Sequence, residues 1–81
     1  MNYKDEVERI ALNIKTIRKQ KKLTVQDLAY RCNLERSNLS RLEAGKGNMT
    51  IKTICEICDA LDAPLDRVLI GRYVPTPTKD V

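Results

Sequence analysis

The stretch that decides the fold of this chain is residues 24–44, TVQDLAYRCNLERSNLSRLEA. Its apolar spacing predicts two short helices joined by a tight turn. Ala29 supplies a small side chain where the two helices approach, and Asn33 tolerates the left-handed backbone of the reversal better than other non-glycine residues do. Leu34 and Leu39 can then fold back and close a small shared core. The second helix therefore presents its polar face outward.

An outward polar helix in such a pair has the geometry that reading the DNA major groove requires. The chain has 15 Lys and Arg against 11 Asp and Glu, a formal net charge of +4, which is a mild excess. A basic cluster of this kind is typical of a surface that binds phosphates, although a solvated helix face with cations at its C-terminus is also consistent with it. The clustered cations are Lys15, Arg18, Lys19, Lys21, Lys22, Arg36, Arg41, Lys46 and Lys52.

The rest of the chain predicts three more helices and no strand, so the predicted fold class is all-α with five helices. The first helix, about 4–21, and the fourth, about 51–61, each carry an apolar stripe at helical spacing. A short fifth helix begins at Pro64 and is terminated by Gly71. The residues expected to face the core from these three helices are Val7, Ile10, Ala11, Ile14, Ile17, Ile51, Ile54, Cys55, Cys58, Leu61, Leu65, Val68 and Leu69.

Local signals indicate where the helices of the central pair begin and end, at about 25–32 and about 36–44. Thr24 and Asp27 have the spacing of a capping box, and Thr50 is a suitable N-cap for the fourth helix. Glu35 precedes the third helix as an unusual N-cap, and Gly45 ends it as a C′ glycine.

The length of 81 residues predicts one domain, 1–71, followed by a tail, 72–81, that lacks periodicity and is expected to be extended or mobile. No run of about 18 apolar residues predicts a membrane span. The sequence MNYKDEVER at the start is charged and lacks an apolar secretory segment, which predicts a cytoplasmic protein.

The three cysteines and the absence of histidine argue against a disulfide framework, a metal site and catalysis. Cys55 and Cys58 form a C-x-x-C pattern, but it lies in an apolar helix and lacks the second ligand pair of a structural zinc site. We therefore expect these thiols to pack in the core. No nucleophile has a base at motif spacing and no glycine-rich phosphate loop occurs, so we expect neither an enzyme nor a cofactor.

From Leu12 to Leu69 the chain resembles the Xre/Cro-type helix-turn-helix domain of phage repressors and bacterial regulators, which implies a compact, lambda-repressor-like domain. The matching residues are Ile14, Ile17, Arg18, Leu23, Asp27, Leu28, Ala29, Asn33, Leu34, Ser37, Leu39, Ser40, Arg41, Leu42, Glu43, Gly45, Thr50, Ile51, Ala60, Leu61, Leu65 and Asp66. Residues 33–53 further resemble the reading helix and following loop of the controller proteins of restriction–modification systems. Phage repressors, antitoxins and chromosomal regulators look alike, so the subtype stays open.

The resemblance places base-reading side chains at the start of the third helix. Arg36 is the first candidate, because its guanidinium can pair with guanine O6 and N7 in the major groove. Asn38 can pair with adenine, and Ser37 and Arg41 complete the set. The alternatives are an ordinary exposed cation for each arginine, and local capping of the third helix for Ser37 and Asn38.

Phosphate contacts are expected from helix N-termini and from the loop between the third and fourth helices. The candidates are Thr24, Gln26, Lys46, Asn48, Thr50 and Lys52. For the two threonines, capping is the alternative role. Many family members carry glutamine where this chain has Val25, so that phosphate contact is not inherited here. Met49 likewise stands where many members have proline.

Two further sets are implied by the resemblance. Arg18 and Glu43 are expected to form an ion pair between the first and third helices that fixes the orientation of the reading helix. A twofold dimer is expected to bind a near-palindromic operator with half-sites about 34 Å apart. Its predicted surface, whose apolar members could equally complete the core, is Asp62, Ala63, Leu65, Leu69 and Ile70.

These observations predict a sequence-specific regulator of transcription that binds double-stranded DNA as a homodimer, with restriction–modification control as one candidate role. The alternative is a protein-binding module, such as an antitoxin or adaptor, whose affinity for DNA would depend little on Arg36. Activation would require contact with RNA polymerase, whereas repression requires only occlusion of the promoter, and both remain open.

Overall fold

The computed structural model describes residues 2–71, and the helices in this range are α1 (Tyr3–Gln20), α2 (Val25–Arg31), α3 (Arg36–Glu43), α4 (Ile51–Leu61) and α5 (Leu65–Ile70). No strand occurs between residues 2 and 71, which confirms the all-α prediction. The predicted tail, 72–81, lies outside the described residues. Within residues 2–71, every helix is too short or too polar to cross a bilayer.

The core lies where α1 packs against α3, α4 and α5, and where α2 packs against α3 and α4. All five helices contribute to it. The largest fully buried side chains are Ile14, Leu28, Leu39, Ile57, Leu61 and Val68. Burial of one such side chain stabilises the folded state by about 1.5–3 kcal/mol, so this set determines how the helices are arranged.

The helices α1 to α4 all end in a left-handed residue. The N–H of the next residue then donates to the carbonyl five positions back, at 2.9–3.1 Å, in the Schellman arrangement. Lys22, Asn33, Gly45 and Asp62 have φ angles of 60°, 57°, 77° and 53°. The sequence predicted the reversals at Asn33 and Gly45. Lys22 and Asp62 also reverse the chain with a left-handed backbone, although neither position is a glycine or an asparagine.

The predicted N-caps are present at α2 and α4, whereas α3 begins differently. The Asp27 backbone N–H donates to Thr24 Oγ1 at 3.0 Å, and the Thr24 N–H donates to Asp27 Oδ2 at 2.9 Å, which completes a capping box. The Thr53 N–H donates to Thr50 Oγ1 at 3.1 Å. Glu35 occupies the N-cap position of α3, but its side chain accepts no capping hydrogen bond.

The apolar stripe predicted on α4 is partly wrong. Ile51 is 63% exposed and Cys55 is exposed, whereas Ile57, which the prediction omitted, is 1% exposed. The buried face of α4 consists of Ile54, Ile57, Cys58 and Leu61. The apolar arc of this helix is wider than the face covered by α1, α2 and α5, so the residues on one flank remain in solvent. The prediction that both thiols of the C-x-x-C pattern are buried therefore holds for Cys58 alone.

Candidate nucleic-acid interface

The outer face of α3 is polar and exposed. Leu39 and Leu42 point into the core, while all four predicted base-reading residues, Arg36, Ser37, Asn38 and Arg41, are exposed. At 100° per residue, Ser37 and Arg41 lie opposite the two leucines, and Arg36 and Asn38 flank them. Ser40 is also exposed on this face, and the sequence prediction omitted it even though helical periodicity places it beside Ser37.

Within the part of the chain that the structure describes, no side-chain hydrogen bond caps the N-terminus of α3. The backbone N–H groups of the first turn of a helix have no intrahelical acceptor, and here the Glu35 side chain does not supply one. The positive end of the helix dipole lies at the same place as Arg36, Ser37 and Asn38. An exposed helix end of this kind favours an anion such as a phosphate.

A shallow hollow beside α3 brings together residues from two predicted sets. Asn38 and Arg41, predicted to read bases, line it together with Lys46 and Asn48, which are predicted to bind phosphate. The Lys46 N–H donates to the Arg41 carbonyl at 2.9 Å, so the loop begins in a fixed position relative to α3. The lining of the hollow therefore includes two cations and two amide side chains, beside apolar residues such as Leu34 and Leu42.

The other phosphate candidates lie at separate places. The hydroxyls of Thr24 and Thr50 accept capping hydrogen bonds, as the alternative role required. Gln26 is exposed and lines a different hollow, on α2, together with Tyr30. Lys52 donates to Glu56 Oε2 at 3.2 Å, so its charge is partly neutralised in an exposed pair.

Arg18 and Glu43 form a bidentate ion pair, with two hydrogen bonds, between α1 and α3. Arg18 Nε donates to Glu43 Oε2 at 2.7 Å, and Nη2 donates to Oε1 at 2.9 Å. Nη1 donates to the Leu23 carbonyl at 2.7 Å, which adds the α1–α2 turn to the contact. The two side chains are only 8% and 6% exposed. The arginine was also counted in the surface basic cluster, and burial removes it from that cluster.

The residues predicted for the dimer surface are divided between core and solvent. Ala63 is 8% exposed and belongs to the core, which was the alternative to a place in the dimer surface. Leu69 is half-buried against the core. Leu65 and Ile70 are 37% and 62% exposed, and Asp62 is also exposed. An apolar surface on α5 therefore remains available for a partner.

The environments of Cys32 and Cys58 are those of structural thiols. Burial raises the pKa of Cys32 and of Cys58 above the ordinary thiol value, which keeps both protonated at neutral pH. Cys32 Sγ also lies 3.0 Å from the Leu28 carbonyl, within hydrogen-bond reach. Among residues 2–71, no three His, Cys, Asp or Glu side chains are grouped as a metal site requires.

Comparison with known proteins identifies the family. A profile of the family HTH_3, described as helix-turn-helix, matches residues 14–68. The chain therefore belongs to this helix-turn-helix family of DNA-binding transcriptional regulators, as its sequence predicted. The match begins inside α1, so about the first three turns of that helix lie outside it.

Particular relatives agree with this assignment. Over 59 residues the chain is 39% identical to the uncharacterized HTH-type transcriptional regulator YqaE of Bacillus subtilis (strain 168), an alignment that covers 73% of this chain and 51% of the relative. The chain thus spans about half the length of that relative. The wild-type restriction–modification controller protein C.Esp1396I superimposes with a TM-score of 0.75 and 32% identity, covering 86% of this chain and 92% of the other.

Two further structures share the fold. The clp gene regulator ClgR from Corynebacterium glutamicum gives a TM-score of 0.75 at 28% identity, covering 78% of this chain and 82% of the other. The controller protein C.AhdI from Aeromonas hydrophila gives 0.76 at 23% identity, covering 79% of this chain and 97% of the other. At that identity the second likeness supports the architecture alone.

Proposed function

We propose that this protein is a sequence-specific regulator of transcription that reads double-stranded DNA with the outer face of α3. The observation that carries the proposal is that Arg36, Ser37, Asn38 and Arg41 are all exposed on a helix whose other face is packed in the core. A major groove about 12 Å wide admits one α-helix, and these side chains offer the donors and acceptors that distinguish base pairs.

The backbone of the DNA would be bound beside this helix. Lys46 and Asn48 line the same hollow as Asn38 and Arg41, so they can bind a phosphate on one side of the groove that α3 occupies. The uncapped N-terminus of α3 adds free N–H donors. Thr24, Gln26 and Thr50 at the starts of α2 and α4 are further candidates, and the exposed pair with Glu56 makes Lys52 the weakest.

Binding as a homodimer on a near-palindromic operator is part of the proposal. One chain offers a single reading helix, and a twofold dimer doubles the number of base pairs read. The exposed side chains of Leu65 and Ile70 on α5 support self-association there, with Asp62 and Leu69 beside them. Among the predicted members, Ala63 contributes to the core and not to this surface.

Control of a restriction–modification system is the particular role that we propose within this class. The support is the 32% identity to C.Esp1396I over nearly the whole of both chains. A methyltransferase gene and an endonuclease gene next to this gene would support the role, whereas neighbouring phage genes would favour a repressor. A requirement for RNA polymerase contact would follow only if the protein activates transcription.

A protein-binding module remains the second candidate, and one observation favours it. Tyr30 is 86% exposed and lines the hollow on α2. An aromatic side chain left in solvent beside a concave surface is typical of a protein contact. If this were the main role, affinity for DNA would not depend on Arg36.

The experiment that separates the two roles compares specificity rather than affinity. Double-stranded DNA is selected from a random library, and dissociation constants for the selected and a shuffled duplex are measured at low and moderate salt. The specificity ratio is the dissociation constant for the shuffled duplex divided by that for the selected duplex. We expect Arg36→Ala to reduce this ratio about 10- to 100-fold, corresponding to the loss of one or two good base contacts. Arg31→Ala removes another exposed arginine, from α2, and should leave the ratio unchanged. Salt-sensitive binding that ignores sequence in the wild type would contradict the proposal.

A further inference from the structure

The C-terminal end of α5 is held by side chains of α1. Asn13 Nδ2 donates to the Val68 carbonyl at 2.8 Å, and the Arg9 guanidinium donates to the Leu69 carbonyl. The Gly71 N–H donates to the Arg67 carbonyl at 2.9 Å. Three of the last four carbonyls of α5, which a helix leaves without partners, are therefore satisfied, two of them by α1. We call Arg9 and Asn13 the α5 clamp.

The contact leaves no room for a side chain at residue 71. Gly71 has a φ of +92°, and a Cβ at that position would lie 2.6 Å from Asn13 Oδ1. Glu6 Oε1 accepts from Arg9 Nη2 at 2.5 Å, in a partly exposed ion pair within α1. The glycine and the asparagine thus fit each other, and a change at either position disturbs the same contact.

The orientation of α5 depends on its contacts with the rest of the protein. This helix has six residues, far fewer than the roughly 12–15 that a helix needs for marginal stability in water, so tertiary contacts determine its orientation. Val68 fixes its position against the core, and the clamp fixes where its C-terminal end points. The exposed Leu65 and Ile70 move with it.

The helix that carries the clamp also holds the reading helix. Arg18 pairs with Glu43 at the end of α3, and Glu8 lies against Gly45, where a Cβ would be 3.1 Å from Glu8 Cγ. α1 therefore connects the two surfaces that the proposed function uses, with contacts to α3 on one side and to α5 on another.

We infer that Arg9 and Asn13 are positioning residues that fix the angle of the dimer surface relative to the reading helix, and so set the spacing between the two half-sites. The inference rests on the proposed dimer. Both residues lie before position 14, where the family match begins. Spacing is sensitive to this angle, because one inserted base pair rotates a half-site by about 34° around the DNA axis.

The test is a spacing series on the selected operator, with zero, one or two base pairs inserted or removed at its centre. We expect wild-type protein to prefer one spacing about tenfold or more over its neighbours. Asn13→Asp keeps the size of the side chain but replaces the donor with a charge that the C-terminal end of α5 repels. Gly71→Ala disturbs the same contact from the other side. Both variants should reduce the spacing preference to about threefold or less.

Controls separate positioning from loss of stability. Ile57→Val removes one methyl group from the core of α4 without touching the α5 clamp, and it should keep the wild-type preference. Spacing preferences in Asn13→Asp and Gly71→Ala equal to wild type would overturn the inference and leave the proposed dimer intact. A wild-type protein that binds single half-sites with no spacing preference would overturn the proposed dimer and this inference together.

Discussion

Arg18 is a charged residue that is buried, at 7% exposure, and its partners account for that burial. Glu43 and the Leu23 carbonyl accept all three of its hydrogen bonds, so neither charge of the pair is left unsatisfied. Such a pair contributes little net stability compared with apolar residues of the same size, but losing one partner leaves a buried charge alone. We therefore expect its main effect to be on the orientation of α3 rather than on net stability.

We expect Arg18→Ala and Glu43→Ala each to lower the free energy of unfolding by about 3–5 kcal/mol, because each leaves an uncompensated charge in the interior. Urea unfolding followed by circular dichroism measures this. The double variant should be less destabilised than the sum of the single changes, which a double-mutant cycle detects. Single changes that each cost less than about 1 kcal/mol, with no coupling, would show that the pair behaves as an exposed one.

Asp27 predicts a pH dependence at the residue scale. The hydrogen bonds from the Thr24 backbone and side chain lower the pKa of this exposed carboxyl. A lowered folded-state pKa means that the stabilising contribution is complete above the unfolded value, about 3.9, and is lost as the pH falls through the lower folded value. The difference in melting temperature between wild type and Asp27→Asn should therefore be constant from pH 7 to pH 5 and should shrink below about pH 4. A difference that stays the same down to pH 2 would contradict this.

At the scale of helices, the left-handed residues at the helix C-termini are the positions where a substitution can most readily change the free energy of unfolding. Lys22→Gly should raise the free energy of unfolding by about 0.5–1 kcal/mol, because a left-handed lysine costs about 1–2 kcal/mol and the added freedom of glycine in the unfolded chain offsets part of the gain. Gly45→Ala should lower it by about 1–2 kcal/mol, since the new Cβ would also approach Glu8. Thermal unfolding of Lys22→Gly and Gly45→Ala measures both changes. Effects of the same sign and size in the two variants would contradict these predictions.

The helices could be predicted from sequence because their signals are local. Thr24 with Asp27, Asn33, Gly45 and Thr50 each act within four or five residues, and each is present where the sequence indicated. At Lys22 no residue favours a left-handed backbone, and at Asp62 the tendency of aspartate to adopt one is a weaker signal than a glycine. There the apolar residues that follow, Leu23 and Ala63, pack on or in the core and hold the turn in place.

The candidate site could be predicted in part for a related reason. Periodicity alone placed Leu39 and Leu42 inward and so Arg36 and Arg41 outward. It could not show that Ile51 lies on an uncovered flank of α4, because the width of that buried face depends on where three other helices lie. Nor could it show the α5 clamp, in which Asn13 and Val68 are 55 positions apart in the chain.

At the scale of the whole molecule, the arrangement of cations predicts how binding responds to salt. Each cation that pairs with a phosphate releases counterions, so the logarithm of the affinity should fall linearly with the logarithm of the salt concentration. Lys46→Ala should reduce that slope by about 1, since this residue lies in the hollow beside α3. Lys4→Ala removes a cation from the first turn of α1 and should leave the slope unchanged. Equal slopes for wild type and Lys46→Ala would remove this residue from the interface.

The most direct test of the central claim is methylation protection of the selected operator by dimethyl sulfate, which attacks guanine N7 in the major groove. We expect wild-type protein to protect one guanine in each half-site, and Arg36→Ala, at a concentration that still saturates the duplex, to restore the reactivity of those guanines alone. An unchanged pattern of protection in the variant, or no major-groove protection by the wild type, would contradict base reading by α3.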